Sequence, residues 1–188
     1  MKIFFYASPV STEYDSQIKL VFEYIVSLGF KLIDKEPLRH DIREEIKKSM
    51  DGKVTEAYRK GLIKFVDHVK NADICVFEVS FQSLGTGYLI DKALENNKPT
   101  IILYYKNKRP HLLSVLDSDK ILIHSYDEKN FKQVVKKLIK LAREKRDKRF
   151  NFFLSPKLLD YLDKTSKQHG ITKSKFLRDL IVSHMRSA

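Results

Sequence analysis

The chain has 188 residues, of which 43% are hydrophobic and 32% charged, enough for one medium domain or for a domain plus a small module. Several classes are excluded. No apolar run approaches the ~20 residues that cross a bilayer, and the run after Met1-Lys2 is too short for a signal peptide. The single cysteine, Cys75, cannot form an intrachain disulfide and is interpreted as a small core residue. We therefore expect a cytoplasmic protein with no membrane partner.

The net charge of +12 is concentrated at one end of the chain. Residues 1–131 carry 20 Lys+Arg and 19 Asp+Glu, whereas residues 132–188 carry 16 and 5. Such asymmetry predicts that the C-terminal part meets a polyanion while the remainder does something else.

Apolar periodicity predicts alternating strands and helices up to about residue 141. We expect strands at residues 2–7, 30–33, 74–79, 100–105 and 120–124, and helices at residues 12–28, 41–71 (broken near Asp51-Gly52), 88–95, 111–116 and 131–141. Ser11 or Thr12 can cap the first helix. The alternation of apolar strands with helices predicts an α/β fold, a Rossmann-like parallel sheet of about five strands with helices on both faces.

Three segments are predicted. Residues 1–143 form the α/β domain, residues 144–149 a solvated charged linker, and residues 150–188 a small β-α-α module. We find no internal repeat and no low-complexity tract.

The centre of the α/β domain is a strand–loop–helix–strand unit over residues 72–105. Its loop reads Ser83-Leu84-Gly85-Thr86-Gly87, and the helix is expected from about Tyr88 to Glu95. Glycines permit a tight turn and close approach of a ligand, and a helix N-terminus holds anions at the carboxyl edge of a parallel sheet. A plain structural turn is the alternative.

The sequence of this unit resembles the nucleoside 2-deoxyribosyltransferase-like family. The unit reads S-L-G-x-G-Y, then a helix, K-P and an apolar strand, and the resemblance extends over about residues 1–143. Within that family it looks most like the 2'-deoxynucleoside 5'-monophosphate N-glycosidases. The resemblance implies a nucleotide or nucleoside-like ligand, held by residues that shape and cradle it: Tyr6, Ser8, Ser83, Gly85, Thr86 and Gly87. Ser83 can instead be a helix cap, and Tyr6 a plain core residue.

The groups that do chemistry in that family are replaced here. The nucleophilic carboxylate expected one residue after the tyrosine is Leu89, the second carboxylate aligns with Phe65, and Val10 stands at the position of a phosphate-binding arginine. Leucine can neither attack a sugar nor stabilise a sugar cation. The resemblance therefore implies a fold without glycosidase activity. If activity persists, Glu78 or Asp91 is the replacement carboxylate, although for Glu78 an exposed or turn-bonded glutamate is the favoured interpretation.

No cofactor or structural metal is predicted, because the 6 histidines form no pair at metal-ligand spacing.

The spacing of apolar residues changes in the C-terminal module. Phe150, Phe152 and Leu154 alternate with polar residues in a strand-like pattern, except at Phe153. Ser155-Pro156 opens a helix, Gly170 ends it, and Thr172 caps a second helix with an apolar face that extends to His184 or Met185. One strand and two helices cannot bury a core alone, so we expect at least a homodimer.

R-F-N-F-F-L-S-P, a turn glycine and I-T-K-S-K-F-L-R resemble the ribbon-helix-helix DNA-binding family. In that family the strands of two chains form a ribbon that enters the major groove. The resemblance implies that Arg149, Asn151 and Phe153 meet base edges and that Thr172, Lys173 and Ser174 meet a phosphate. Phe153 departs from the polar residue usual there, so a ribbon packed on protein, or a basic dimerisation module, remains the alternative.

Three hypotheses follow. The first is a regulator or sensor that joins a nucleotide-binding α/β domain to a dimeric module for duplex DNA. The second is an active deoxyribosyltransferase or nucleotide N-glycosidase with a displaced carboxylate. The third is a protein-interaction platform on a fold that has lost its chemistry.

Overall fold

The computed structural model describes residues 1–49, 56–116, 118–147 and 152–187. The chain divides into two compact units, Met1–Asp147 and Lys148–Ala188. Across the described residues, no helix is both long enough and apolar enough to cross a membrane.

The first unit is built on a five-stranded parallel sheet with helices on both faces, which confirms the predicted fold class. The strand order is β2-β1-β3-β4-β5. The elements, in chain order, are β1 (Lys2–Ala7), α1 (Asp15–Ser27), β2 (Lys31–Leu32), α2 (His40–Ser49), α3 (Glu56–Asn71), β3 (Ile74–Glu78), α4 (Leu84–Glu95), β4 (Thr100–Tyr105), a short 3₁₀ turn (Leu112–Val115), β5 (Ile121–Tyr126) and α5 (Phe131–Glu144).

Both faces of the sheet are covered because the central strands are apolar on both sides. Ile3, Phe5 and Val76 belong to a cluster that includes residues of α1 and α5. Phe4 and Phe77 belong to a second cluster with residues of α3 and α4. Each face therefore buries a separate core, and the strand ends are left for a site.

Several predicted boundaries are wrong by a few residues. The first helix begins at Asp15 with Tyr14 at the N-cap position, so neither Ser11 nor Thr12 caps it; the Ser11 hydroxyl accepts the Glu13 N–H instead. Helix α4 begins at Leu84 and not at Tyr88. The break predicted at Asp51-Gly52 lies outside the described residues.

Part of the predicted linker belongs to the first unit. Glu144 is the last residue of α5, and the Lys120 ammonium donates to the Lys145 carbonyl and to Asp147, each at 2.6 Å. Arg146 donates to Asp73 at 2.7 Å. Ion pairs at the amino edge of the sheet thus hold residues 145–147, which the sequence alone predicts to be a solvent-exposed linker.

The second unit is a helix pair, α6 (Pro156–Gln168) and α7 (Lys173–Ser187). Gly170 adopts a positive φ of 63°, and the N–H groups of Gly170 and Ile171 donate to the carbonyls of Lys167 and Ser166. This Schellman arrangement ends α6 at the glycine, as the sequence predicts. The Thr172 hydroxyl accepts the Lys175 N–H at 3.2 Å and so caps α7.

The predicted strand is not formed by residues 152–155, which carry no secondary structure. Arg149, Phe150 and Asn151 lie outside the described residues. A strand requires a hydrogen-bonded neighbour, and a ribbon shared between two chains provides that neighbour only when the second chain is present.

Candidate functional site

The first candidate site is the carboxyl edge of the sheet between β1 and β3. From β1 the chain proceeds to β2 on one side and later to β3 on the other, so the strand order reverses here. Ligands of open parallel α/β sheets bind at this kind of switch point, outside the carboxyl ends of the strands. Ser8 follows β1, and Ser80 and Ser83 follow β3.

Ser83 is the N-cap of α4. Its hydroxyl accepts the Thr86 N–H at 3.2 Å and lies 2.8 Å from the Thr86 hydroxyl. The cap role that the sequence allowed is therefore filled. The hydroxyl retains no more than one lone pair for a ligand, and the remaining free N–H groups of the first turn are the stronger anion donors.

Gly85 and Gly87 lie within the first turns of α4, where we expected a loop before the helix. Neither residue has a positive φ, so the turn argument for these glycines is wrong. The space beside them is open, since a Cβ built at either glycine meets no atom within 4 Å. A cavity of about 70 Å³ adjoins this turn and is lined by Val79, Gln82, Ser83, Thr86, Gly87, Leu112 and Leu113.

Glu78 ends β3 and is the centre of a buried polar network. The Tyr126 hydroxyl donates to its Oε1 at 3.0 Å, and the Ser80 N–H donates to Oε2 at 3.3 Å. The Ser80 hydroxyl also bonds to Oε1 and accepts the Tyr105 N–H at 2.7 Å. The network joins the ends of β3, β4 and β5, so its first role is to fix this edge of the sheet.

The surroundings of Glu78 favour its neutral form. Burial raises the pKa of Glu78 to about 7, although hydrogen bonds from Ser80 and Tyr126 act in the opposite direction. Burial, and then the neighbouring Glu78 charge, raises the pKa of Tyr126. Glu78 is only 1% exposed, so the expectation of an exposed glutamate is wrong. The other expectation, a glutamate hydrogen-bonded within the turn, agrees with its contact with the Ser80 hydroxyl.

Other residues singled out from the sequence lie apart from this network. Tyr6 is buried among Phe4, Phe65 and Phe77, and Ser8 is buried with its hydroxyl 3.4 Å from the Val10 N–H. Leu89 and Phe65 are core residues.

Asp91 lies on the exposed side of α4, where its carboxylate is 3.7 Å from the Lys92 ammonium. Of the two fallback carboxylates, only Glu78 therefore stands at the carboxyl edge.

A buried arginine near β2 was not found from the sequence. Arg39 is 4% exposed, adopts a φ of 53°, pairs with Asp34 and stacks 4.4 Å above the Phe65 ring. Among the described residues, its Nε and Nη2 atoms and the Nδ1 atom of His68 have no hydrogen-bond partner.

The electrostatics of this pair favour charge on Asp34 and neutrality on His68. Burial acts to raise the pKa of Asp34, but the Arg39 charge and the hydrogen bonds to the carboxylate outweigh it and hold the pKa below its usual value. Burial lowers the pKa of His68 against the attraction of Asp34. No local motif marks such a cluster, because its members come from a loop and from a distant helix.

Arg43 fixes the loop that follows β1. Its guanidinium donates to both carboxylate oxygens of Asp15 at 2.9 Å, to the Pro9 carbonyl at 2.9 Å and to the Ser11 carbonyl at 3.2 Å. A bidentate pair with two further bonds makes this loop rigid beside Ser8.

The second candidate site is the start of α7. Lys173 pairs with Asp163 at 2.9 Å, and Ser174 is exposed. Phe153 is fully exposed, a costly position for an aromatic side chain without a partner.

Most apolar side chains of the second unit are uncovered. In residues 152–187, the buried side chains are those of Leu162 and Ser166. The large apolar side chains that remain exposed are Phe153, Leu158, Leu159, Tyr161, Leu180, Ile181, Val182 and Met185, besides Phe152 at 50%.

Within the described residues, no group of three or more His, Cys, Asp and Glu side chains could hold a metal ion. Cys75 is buried in β3, and burial raises the pKa of its thiol to about 12, which makes it a core residue and not a nucleophile.

Comparison with known proteins assigns no role to any residue of this chain. No family model and no curated protein matches the sequence. The CMP N-glycosidase BcmB of Clostridium botulinum is similar in structure at 13% identity, with a TM-score of 0.44 over 74% of this chain and 99% of that one. A likeness at this level transfers neither a function nor a residue role to this chain.

Proposed function

We propose that the protein is a dimeric DNA-binding regulator, in which the second unit binds duplex DNA and the Rossmann-like unit senses a nucleotide or nucleoside-like ligand. The uncovered apolar faces of α6 and α7 carry this proposal. A segment of fewer than about 40 residues seldom buries a sufficient core, and here a second copy of the same unit supplies the missing half.

Charge supports DNA as the ligand of the paired units. Residues 148–188 contain 9 Lys+Arg and 3 Asp+Glu. The N-terminus of α7 presents N–H groups and a positive helix dipole beside the exposed Ser174, a combination suited to a phosphate. Arg149, Asn151 and Phe153 are the proposed base-reading residues, by the resemblance stated above.

The first test measures the affinity of the full chain for labelled random duplex DNA. We expect at least about tenfold weaker binding when salt rises from about 50 to about 200 mM, because released counterions set a steep slope. A chain ending at Asp147 keeps the contacts of Lys120 with Lys145 and Asp147 and is expected to lose this binding.

A point variant in the full chain locates the phosphate contact. Ser174→Asp is expected to weaken DNA binding about tenfold while leaving α7 stable, because an aspartate in the first turn suits the dipole but repels phosphate. Ser155→Asp is the matched control, with the same charge change at the start of α6. Equal losses in both variants would assign the effect to net charge and contradict the assignment.

The proposed ligand site of the first unit comprises Ser8, Ser83, Gly85, Thr86 and Gly87, of which Ser83, Thr86 and Gly87 line the cavity at the start of α4. Tyr6 completes the set by resemblance, although its ring packs in the core. We expect that some member of a deoxynucleoside monophosphate panel raises the Tm of the full chain by mass action, without release of free base. Absence of chemistry is expected because Leu89 and Phe65 are buried apolar residues.

Gly87→Val tests that location. Its side chain enters space in which a Cβ meets no atom within 4 Å, so the unliganded Tm should change little while the ligand-induced rise disappears. Release of base by the wild-type chain, abolished in Glu78→Gln, would favour the alternative of an active nucleotide N-glycosidase or deoxyribosyltransferase. Absence of any Tm rise across the panel would favour the third hypothesis, an interaction platform.

A further inference from the structure

A basic apolar groove lies on the α1/α5 side of the first unit, and its lining shares no residue with the cavity at the start of α4. We define the basic groove as two neighbouring concavities that share Phe30. One, of about 540 Å³, has Leu28, Phe30 and Ile139 in its lining, and the other, of about 570 Å³, adds Phe22, Val26 and Leu32. Val26 is 49% exposed, so part of this apolar surface faces water.

Cations surround the groove. Lys136, Lys137, Lys140 and Arg143 line the first concavity from α5, and Lys31 and Lys35 line the second. Within the described part of the chain, none of the α5 cations has a carboxylate partner. The lining contains no acidic residue, so the rim has one sign of charge.

The charge disfavours two occupants that this protein could itself supply. A second copy docked face to face through the groove would bring lysines against lysines, which costs free energy across an interface. The second unit, with 9 Lys+Arg and 3 Asp+Glu, is also positive. An occupant must therefore supply negative charge from elsewhere.

The shape and the apolar lining distinguish among anionic occupants. Duplex DNA is bound through phosphates, for which an apolar floor provides nothing. A membrane surface is engaged by convex amphipathic faces, whereas this surface is concave. A helix with one apolar and one acidic face fits both features, because apolar side chains at i, i+3, i+4 and i+7 fill a groove while flanking carboxylates meet the rim.

We propose that the basic groove is a docking site for an acidic amphipathic helix of a partner protein. The lysine stems line the walls and their ammonium groups pair with the carboxylates of the helix. This surface is independent of the DNA-binding and ligand-binding proposals and gives the first unit a protein partner.

The probe is a fluorescein-labelled synthetic peptide of roughly 18 residues, long enough for five helical turns, with Leu and Phe on one face and Glu on the other. Binding to the full chain is followed by fluorescence anisotropy. A second peptide has the same composition in an order that scatters the apolar residues. We expect the scattered peptide to bind at least about tenfold more weakly, since its apolar residues no longer share a face.

Variants of the full chain locate the binding. Lys136→Glu with Lys140→Glu is expected to weaken binding by the amphipathic peptide at least about tenfold, because two attractive contacts become repulsive. Lys164→Glu with Lys167→Glu makes the same change in net charge on α6 and is expected to leave binding within about twofold. Val26→Asn, at a half-exposed position, should weaken binding without lowering the Tm.

Three outcomes would overturn the proposal. Equal binding of the two peptides would mean attraction by charge alone. Equal losses in the α5 and α6 double variants would mean that the groove is not the site. Sedimentation with phosphatidylserine vesicles that is lost in the α5 variant, with no preference between peptides, would assign the surface to a membrane.

Discussion

Ile181→Asn is expected to weaken self-association of the chain by at least about 100-fold and to abolish DNA binding with it. Ile181 is 62% exposed in the single chain and stands in the uncovered face of α7. In the proposed dimer this side chain is buried. The substitution removes roughly 2–3 kcal/mol of apolar transfer and buries an amide at a further cost of about 1–3 kcal/mol.

Asp179→Asn is the matched control. Asp179 makes a surface pair with Lys175 within the same helix, at 3.2 Å, and such pairs contribute little. Removing the Asp179 carboxylate makes the chain more positive, so the charge change in this control cannot itself weaken DNA binding. Sedimentation equilibrium over a range of protein concentrations measures the association. A monomeric wild-type chain, or an Ile181→Asn chain that still dimerises, would contradict the role given to this face.

The fold of the first unit could be read from the sequence because its signal is local and repeated. Runs such as residues 74–79 and 100–105 are mostly apolar, which predicts strands covered on both faces, and the helices between them impose parallel pairing. The ends of the helices were harder to predict. Gly85 and Gly87 suggested a loop, yet Ser83 caps a helix that begins immediately after it, because the capping hydroxyl and the burial of Leu89 and Ile90 together offset the low helix propensity of the glycines.

The polar clusters were harder to predict because their partners are far apart in sequence. Glu78 was recognised at a strand end, but its environment depends on Tyr126, 48 residues away. Arg39 and Asp34 meet His68 only because α3 packs against β1, the strand next to β2. Nothing in the local pattern around His68 distinguishes it from a solvent-exposed histidine.

The charge asymmetry also has a more detailed explanation than the sequence suggested. Residues 132–147 carry 7 Lys+Arg and 2 Asp+Glu, and residues 148–188 carry 9 and 3. The positive excess of the last third of the chain is thus divided between α5 with its following turn and the second unit. One polyanion need not account for both, and the basic groove gives the α5 cations a different partner.

Glu78→Gln is expected to remove a pH dependence of stability worth about 2–3 kcal/mol between about pH 5 and about pH 8. Burial raises the folded-state pKa of Glu78 from 4.5 to about 7, so between these values the folded state retains a proton that the unfolded state has released. The stability contributed by Glu78 is therefore full below about pH 4.5, falls as the pH rises, and levels off above about pH 7.

A glutamine keeps the shape and the neutral charge of the protonated acid. Its Oε1 can accept the Tyr126 hydroxyl as Glu78 does, but its amide nitrogen takes the place of the Oε2 that accepts the Ser80 N–H, so the variant loses one hydrogen bond at every pH. Urea unfolding gives the free energy of unfolding of both chains at each pH. The quantity compared is how the difference between the two free energies changes with pH, and not its absolute value. As the pH rises, the variant should become more stable relative to the wild-type chain, because only the wild-type chain must bury a charge.

Glu23→Gln, at an exposed position on α1, is the control and should follow the wild-type chain at every pH. Parallel stability curves for wild type and Glu78→Gln would mean that the Glu78 carboxylate is ionised across the whole range. In that case Tyr126 and Ser80 would stabilise a charge, and Glu78 would be available as a base at the carboxyl edge. A difference that grows with pH instead keeps Glu78 as the neutral link that joins β3, β4 and β5, and leaves ligand recognition to the N-terminus of α4.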